Sequence, residues 1–346
     1  MANQMKALVK THPDLAEIQS IPIPECGPND ILVRVRSAAL CGTDLHILEW
    51  NSWAQAAGIK LPIVMGHECC GDVVAIGCNI RGYSPGDKVV AETHIPCGTC
   101  YQCLNGEQHI CMNLKIFGVH TNGCFAEYAL IPAVCARKIP AHISHDVGSI
   151  MEPIGTAFRA ALETRVGGTN VAVVGCGPIG LFAVASAAAL GAALIIATDI
   201  STDRLSIARN VGADKVLNPA NDDLVRQIMD YTDSCGVDVV IEASGNVAAV
   251  KQSFDFLRKG GTLAAIGLPG QSLQIELGRD VVFKEATIIG IHGRKMFETW
   301  TKMERLLCAG KLNINPVITH TMPLDKWQEG VQLARSGQAS KIIFQL

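Results

Sequence analysis

The run from Val171 to Gly180 limits what this chain can fold into more than any other stretch. A bare apolar strand, Val171 to Val174, enters Gly175-x-Gly177-x-x-Gly180, and an Ala/Leu-rich helix follows. Glycines at this spacing let the backbone turn tightly and approach a pyrophosphate resting on the helix N-terminus. The next strand, Leu194 to Ala197, leads to Asp199, where an acid accepts from an adenosine ribose diol. A carboxylate there repels a 2′-phosphate, so NAD is expected over NADP. Arg204 follows closely and could stack on adenine or soften that preference. A lone glycine triplet says little, whereas a strand, a helix and an acid in register specify a dinucleotide site.

The alternation continues down the chain. A helix near Thr202 to Val211 is followed by strand Lys215 to Leu217, helix Asp222 to Asp230 and strand Val237 to Glu242. Helix Ala248 to Leu257 and strand Thr262 to Ile266 come next. This order predicts a doubly wound parallel sheet. After Ile291 a helix from Met296 to Leu307 carries Met296, Trp300, Met303 and Leu307 on one stripe and stops at Gly310.

No charged residue occurs between Val166 and Thr198. Gly175, Gly177, Pro178, Gly180 and Gly191 interrupt that span, so a buried strand–helix–strand unit explains it better than a membrane helix. With 346 residues there is room for two domains. A net charge of −3 argues against a nucleic-acid surface or an anionic-membrane patch. Met1 to Lys10 has no signal-peptide apolar stretch. The 14 cysteines therefore read as metal ligands or reduced thiols, and a cytoplasmic setting is expected.

The first 90 residues read as β structure, and the pattern changes after about Glu152. Ile31, Val33 and Val35 alternate with Leu32, Arg34 and Arg36, the period of a half-buried strand. Val73 to Ile76 and Lys88 to Val90 are further short strands separated by Gly- and Pro-containing turns. A barrel-like domain is expected. Strand-like pieces return in Ile314 to Leu346, which suggests that the tail completes this domain.

The chemistry is placed between Cys41 and Glu68. Cys41-Gly42-Thr43-Asp44-Leu45-His46 and Gly66-His67-Glu68 supply a thiolate, an imidazole and a carboxylate, the donors of a catalytic zinc that keeps one position open. Cys41 and His67 are two of the three ligands. Either Glu68 or Glu152, in Met151-Glu152-Pro153, is the third, and the other carboxylate stands behind it. Thr43 and His46 would be plain turn residues in isolation; beside a zinc they form a hydroxyl–imidazole relay to solvent. His94 could face the same site. Cys97-x-x-Cys100-x-x-Cys103 with Cys111 has the spacing of a closed four-thiolate zinc lobe, which is structural. Its formation couples to the folding of its loop.

Taken together these motifs resemble the zinc-dependent medium-chain alcohol dehydrogenase superfamily over essentially the whole chain. The strings Cys41 to Ile47 with Trp50 and Trp53, Asn122 to Tyr128, and Gly293-Arg294-Lys295-Met296-Phe297-Glu298-Thr299-Trp300 are similar to the branch that acts on L-threonine. The resemblance implies an α/β chain with a GroES-like β-barrel catalytic domain, residues 1–152 completed by 295–346, and a Rossmann domain, residues 153–294. It implies Cys41, His67 and Glu68 at the catalytic zinc, with Glu152 ligating or tuning the metal. Thr43 and His46 match the proton relay. Ile179, Asp199, Arg204, Ile266-Gly267-Leu268 and Ile291-His292 match cofactor contacts. The implied activity is NAD-dependent oxidation of L-threonine or a related secondary alcohol such as a polyol or 2,3-butanediol. One catalytic and one structural zinc, a homotetramer, and no nucleic-acid or membrane partner complete the expectation. Cys69-Cys70 departs from the pattern, since bulkier or β-branched residues are expected after Glu68.

Overall fold

The computed structural model describes residues 4–346. They divide into two compact units: one runs to Glu152 and resumes at Ile318–Leu346, and the other is Pro153–Val317.

In the first unit the strand Asp30–Ala39 is the hub. It pairs antiparallel with Glu68–Ile76, with Tyr128–Pro132 and with the tail strand Lys341–Gln345. The alternation read from sequence is kept, because Ile31, Val33 and Val35 are buried while Arg34 is exposed. The side chains they bury against include Phe125, Ile131 and Phe344. Phe125 and Phe344 meet edge to face with ring centroids 5.4 Å apart. Six strands lie in the order Ala136–Lys138, Lys88–Ala91, Glu68–Ile76, Asp30–Ala39, Lys341–Gln345, Ile318–Pro323, with Tyr128–Pro132 beside the hub. The tail thus joins the first sheet through Ile343 opposite Ala39.

Register in this sheet brings distant residues to one place. Ala39 stands opposite Glu68, so the chain just past Ala39, which reaches Cys41, meets the chain just before Glu68, which carries His67. Ile343 stands opposite Ala39 on the other side, which brings Lys341 to the same end.

The second unit holds six parallel strands in the order Lys215–Leu217, Leu194–Thr198, Asn170–Val174, Val237–Glu242, Leu257–Ala265, Thr287–Gly290. Strand order reverses between Asn170–Val174 and Val237–Glu242, the crevice where doubly wound sheets bind ligands. Val171, Val173 and residues 180–187 of the helix Pro178–Ala189 are buried, which is why that part of the span is uncharged. Among the described residues no helix is long and apolar enough to cross a membrane.

Two differences from the sequence expectation stand out. Residues 295–317, expected to belong with the tail, stay with the second unit. Lys295 Nζ lies 2.7 Å from Glu163, Asn313 Nδ2 donates to the Asn210 carbonyl at 2.9 Å, and Trp300 and Met303 are fully buried. The sheet also has a sixth strand, Thr287–Gly290, that the sequence reading did not mark. It is an edge strand, Thr287-Ile288-Ile289-Gly290, with half-buried and exposed positions.

Candidate metal centres and dinucleotide cradle

Sγ of Cys41, one ring nitrogen of His67 and one carboxylate oxygen of Glu68 all lie within 4.8 Å of one another. Cys41 caps the helix Gly42–Glu49, and its N–H donates to Asp44 Oδ2 at 2.9 Å. Asp44 Oδ1 then lies 3.6 Å from His67 Nδ1. Lys341 Nζ donates to the Leu40 carbonyl at 2.9 Å and sits 2.5 Å from Glu68 Oε2. Asp44, Glu68, His67 and Lys341 are all buried.

Electrostatics show what this pocket calls for. Burial alone depresses an imidazole pKa, yet Asp44 and Cys41 raise that of His67 well above its ordinary value. Burial pushes the Glu68 carboxyl up, partly opposed by Lys341 and reinforced by Glu152. Lys341, which burial would depress, is raised by Glu68 and Cys41. Asp44 Oδ1, His67 Nδ1 and Glu68 Oε1 have no hydrogen-bond partner. Converging anionic groups with unmade bonds, in a soft–borderline–hard donor set, fit zinc.

Of the two candidate third ligands, Glu68 is the one brought to Cys41 and His67. Glu152 is outside that group and its Oε1 accepts from Thr93 Oγ1 at 2.8 Å. Thr43 and His46 lie about one turn apart on the helix Gly42–Glu49, Thr43 half-buried and His46 exposed. Asn51 Oδ1 caps the next helix at Ala54 N, so its amide nitrogen faces His46 Nδ1 at 2.7 Å. The ring therefore accepts at Nδ1 and, when neutral, carries its proton on Nε2. His94 is buried, with Nδ1 2.8 Å from Glu92 Oε1, and is not one of the clustered donors.

The sulfurs of Cys97, Cys100, Cys103 and Cys111 form a second cluster, also within 4.8 Å. Cys100 and Cys111 are 3.7 Å apart. Zinc–sulfur bonds of about 2.3 Å put tetrahedral sulfurs about 3.8 Å apart, so the lobe has the size of a zinc site. Backbone amides of Thr99 and Cys100 hold the Cys97 thiol at about 5, whereas burial pushes Cys103 up to about 12. Amides of Cys97 and Asn113 point at Cys111 Sγ at 3.2 and 3.3 Å.

The glycine turn is built for close approach. Gly175 has φ +89°, and a Cβ there would strike Ser244 at 2.7 Å. A Cβ on Gly180 would sit 1.7 Å from the Gly175 carbonyl. A Cβ on Gly177 would meet nothing within 4 Å, so the space beside that glycine is open to an approaching ligand. Asp199 is fixed by N–H donors from Cys176 at 2.7 Å and Ser201 at 2.8 Å. A groove of about 780 Å³ runs past Gly175, Gly177, Asp199, Arg204, Ser244 and Asn246. Ile179, Gly180, Ile266, Gly267, Leu268, Ile291 and His292 are not on its wall. Ile266–Leu268 and Ile291–His292 follow the C-terminal ends of their strands, the same edge of the sheet as Gly175.

Comparison with known proteins agrees with this geometry. The family described as alcohol dehydrogenase GroES-like domain matches residues 27–141, and that described as zinc-binding dehydrogenase matches residues 178–309. The L-threonine 3-dehydrogenase of Pyrococcus furiosus is 42% identical, covering 100% of both chains. The chain belongs to the zinc-dependent medium-chain alcohol dehydrogenase superfamily. Among solved medium-chain dehydrogenase-like folds, a chain of Sinorhizobium meliloti 1021 bound to NADP superposes with a TM-score of 0.92 at 30% identity, covering 99% of this chain and 100% of that one. The 2R,3R-butanediol dehydrogenase of Bacillus subtilis superposes at 0.90 with 26% identity, covering 99% of each.

Three residues of this superfamily member matter to the candidate sites yet were passed over in the sequence reading: Lys341, the carboxylate of Asp44, and Glu242. Asp44 had one usable signal, since it follows Cys41 by one helical turn. Lys341 had none, because its contacts to Leu40 and Glu68 come from strand register alone.

Proposed function

We propose that the chain is an L-threonine 3-dehydrogenase, oxidising the β-hydroxyl of L-threonine to 2-amino-3-oxobutanoate with NAD. The observation that carries this is the convergence of Cys41, His67 and Glu68 in a chain 42% identical over its full length to a protein of that name. In the balanced reaction the substrate loses a hydride from Cβ and a proton from oxygen, giving the ketone, NADH and a proton.

Zinc at Cys41, His67 and Glu68 supplies Lewis acidity that makes an alcohol proton easier to remove, and NAD supplies the hydride acceptor. The chain's own residues do the rest. Asp44 orients His67, and Lys341 balances the charge of Glu68. Thr43 takes the hydroxyl proton and passes it on through His46, which takes it at Nδ1 as the bond from Asn51 breaks and releases the Nε2 proton to water from its exposed ring. Glu152, held by Thr93, tunes the site. Asp199 accepts from the adenosine ribose and selects NAD over NADP. Cys97, Cys100, Cys103 and Cys111 hold the structural ion. Domain limits are read as 1–152 with the tail and 153–317, following the compact units. On the family resemblance the protein is a cytoplasmic homotetramer; the unpaired state of its cysteines supports a reducing compartment.

A polyol or 2,3-butanediol dehydrogenase would use the same metal and relay, and the butanediol enzyme of Bacillus subtilis shares this fold at lower identity. Turnover of L-threonine, sorbitol and 2,3-butanediol with NAD and NADP on zinc-replete protein separates them. L-Threonine with NAD should lead by at least about tenfold in kcat/KM, a difference of about 1.4 kcal/mol in transition-state binding. Preference for either diol would overturn the substrate assignment. A non-catalytic relative is disfavoured by the intact donor set; about two zinc ions per chain would favour the enzyme, and one, held by the four-cysteine lobe, the binding protein.

A further inference from the structure

Glu242 ends the strand Val237–Glu242, directly beside Val174 in the parallel register. It is a buried carboxyl whose partners are hydroxyl and amide donors of the turn that follows it. Its Oε1 accepts from the Ser244 hydroxyl, from Ser244 N at 2.8 Å and from Gly245 N at 3.0 Å. Ser244 Oγ in turn accepts from Asn246 N at 3.0 Å, and Asn246 Oδ1 accepts from Ala248 N and Ala249 N, capping the helix Val247–Phe256. One carboxylate therefore fixes a continuous chain of turn and cap. Ser244, Asn246, Ala248 and Ala249 all line the groove.

The same residue reaches two neighbouring turns. Its backbone carbonyl accepts from Ile266 N at 2.9 Å and Gly267 N at 3.0 Å. A Cβ on Gly267 would come within 2.5 Å of Glu242 Oε2, and one on Gly175 would strike Ser244. The glycines at 175 and 267 are thus required partly by what Glu242 holds against them. Leaving this clamp to a shorter side chain would free three N–H and O–H donors and let the groove wall move.

We propose that Glu242 is a positioning residue of the dinucleotide cradle, acting by reach through Ser244 and Asn246 without touching the cofactor. The inference rests on the groove being the dinucleotide site. Glu242→Gln keeps the length and an acceptor oxygen while removing the charge. Glu242→Asp keeps the charge but is one methylene short of the Ser244 and Gly245 amides.

The test is NADH affinity, read by fluorescence titration of the zinc-loaded protein, with melting temperature and zinc content measured on the same samples. Glu242→Gln should bind NADH within about threefold of wild type, and Glu242→Asp should lose at least about tenfold. The KM for NAD should rise in parallel, while kcat at saturating NAD and the zinc content stay within about twofold. Folded Glu242→Asp protein with wild-type affinity would overturn the proposal. So would the reverse order, in which Gln is weak and Asp tight, because charge would then be the operative property. Wild-type protein that does not bind NADH would instead contradict the dinucleotide site itself. If Glu242→Asp melts far below wild type, equal NADH affinity of Glu242→Gln and Ser244→Ala with wild type decides against the clamp, and a loss confined to Ser244→Ala supports it.

Discussion

Asp44 shows how much one side chain can organise. A single carboxylate accepts from Cys41 N with one oxygen and faces His67 with the other, so it sets both the thiolate and the imidazole at the candidate zinc. Carboxylates that orient metal-bound imidazoles typically contribute 10–100-fold in metal affinity. Asp44→Ala is therefore expected to weaken zinc binding at the Cys41 site by about 10–100-fold, measured by chelator competition, with the four-cysteine lobe still loaded. At Asp199 the expectation concerns cofactor choice. Asp199→Asn keeps one acceptor oxygen for the Cys176 or the Ser201 amide, forfeits the other, and removes the charge that repels a 2′-phosphate. The NADP-to-NAD ratio of kcat/KM should rise by at least about tenfold, and an unchanged ratio would show that Asp199 does not face the ribose.

Elements decide which of these residues meet. The hub strand Asp30–Ala39 places Cys41, His67, Glu68 and Lys341 at one end by register. The sequence made the strand legible through its alternating Val and Arg residues, and made the zinc donors legible through their type and spacing. It could not reveal Lys341, whose partner Leu40 is 301 positions away. Glu242 was hidden for another reason: it ends an apolar strand and reads as a solvated cap until its buried bonds are seen. The edge strand Thr287–Gly290 escaped because its apolar pair Ile288-Ile289 is closed in by Thr287 and Gly290, too short a run to mark a strand by pattern.

Another element-level link joins the hub strand to its neighbours. Asp72 accepts from Arg36 Nε at 2.7 Å and pairs with His145 Nε2 at 3.0 Å. Burial raises its pKa, but the bonds from His145 and Arg36 outweigh this and hold it below the ordinary carboxylate value. A depressed carboxyl contributes stability that is fully present above its unfolded pKa of about 3.9 and is lost as pH falls through the lower folded value. Asp72→Asn should therefore lower the melting temperature by a few °C at neutral pH, a loss on the order of 1 kcal/mol. The difference from wild type should shrink below about pH 4; a gap that persists there would show that charge is not what Asp72 contributes.

At the scale of the whole molecule, two compact units carry different equipment: a three-donor metal cluster in one and a glycine-lined groove in the other. The four-cysteine lobe belongs to the first unit and supplies no open ligand position, so its ion is expected to matter for folding rather than turnover. Cys103→Ser should lower the zinc content by about one ion per chain and make the lobe sensitive to protease, while Cys41→Ser should remove the other ion and at least about 100-fold of kcat without that sensitivity. Equal protease sensitivity in both variants would contradict the division into structural and catalytic ions.

The proposed reaction transfers a hydride from an alcohol carbon to a nicotinamide, and that transfer can be followed by label. L-Threonine deuterated at Cβ is incubated with NAD and the zinc-loaded protein, and the reduced cofactor is analysed by mass spectrometry. Deuterium should appear in NADH in the wild-type reaction and appear at least about 100-fold more slowly with Cys41→Ser. Deuterium released to water, or retained in threonine while NADH accumulates, would contradict oxidation at the β-hydroxyl.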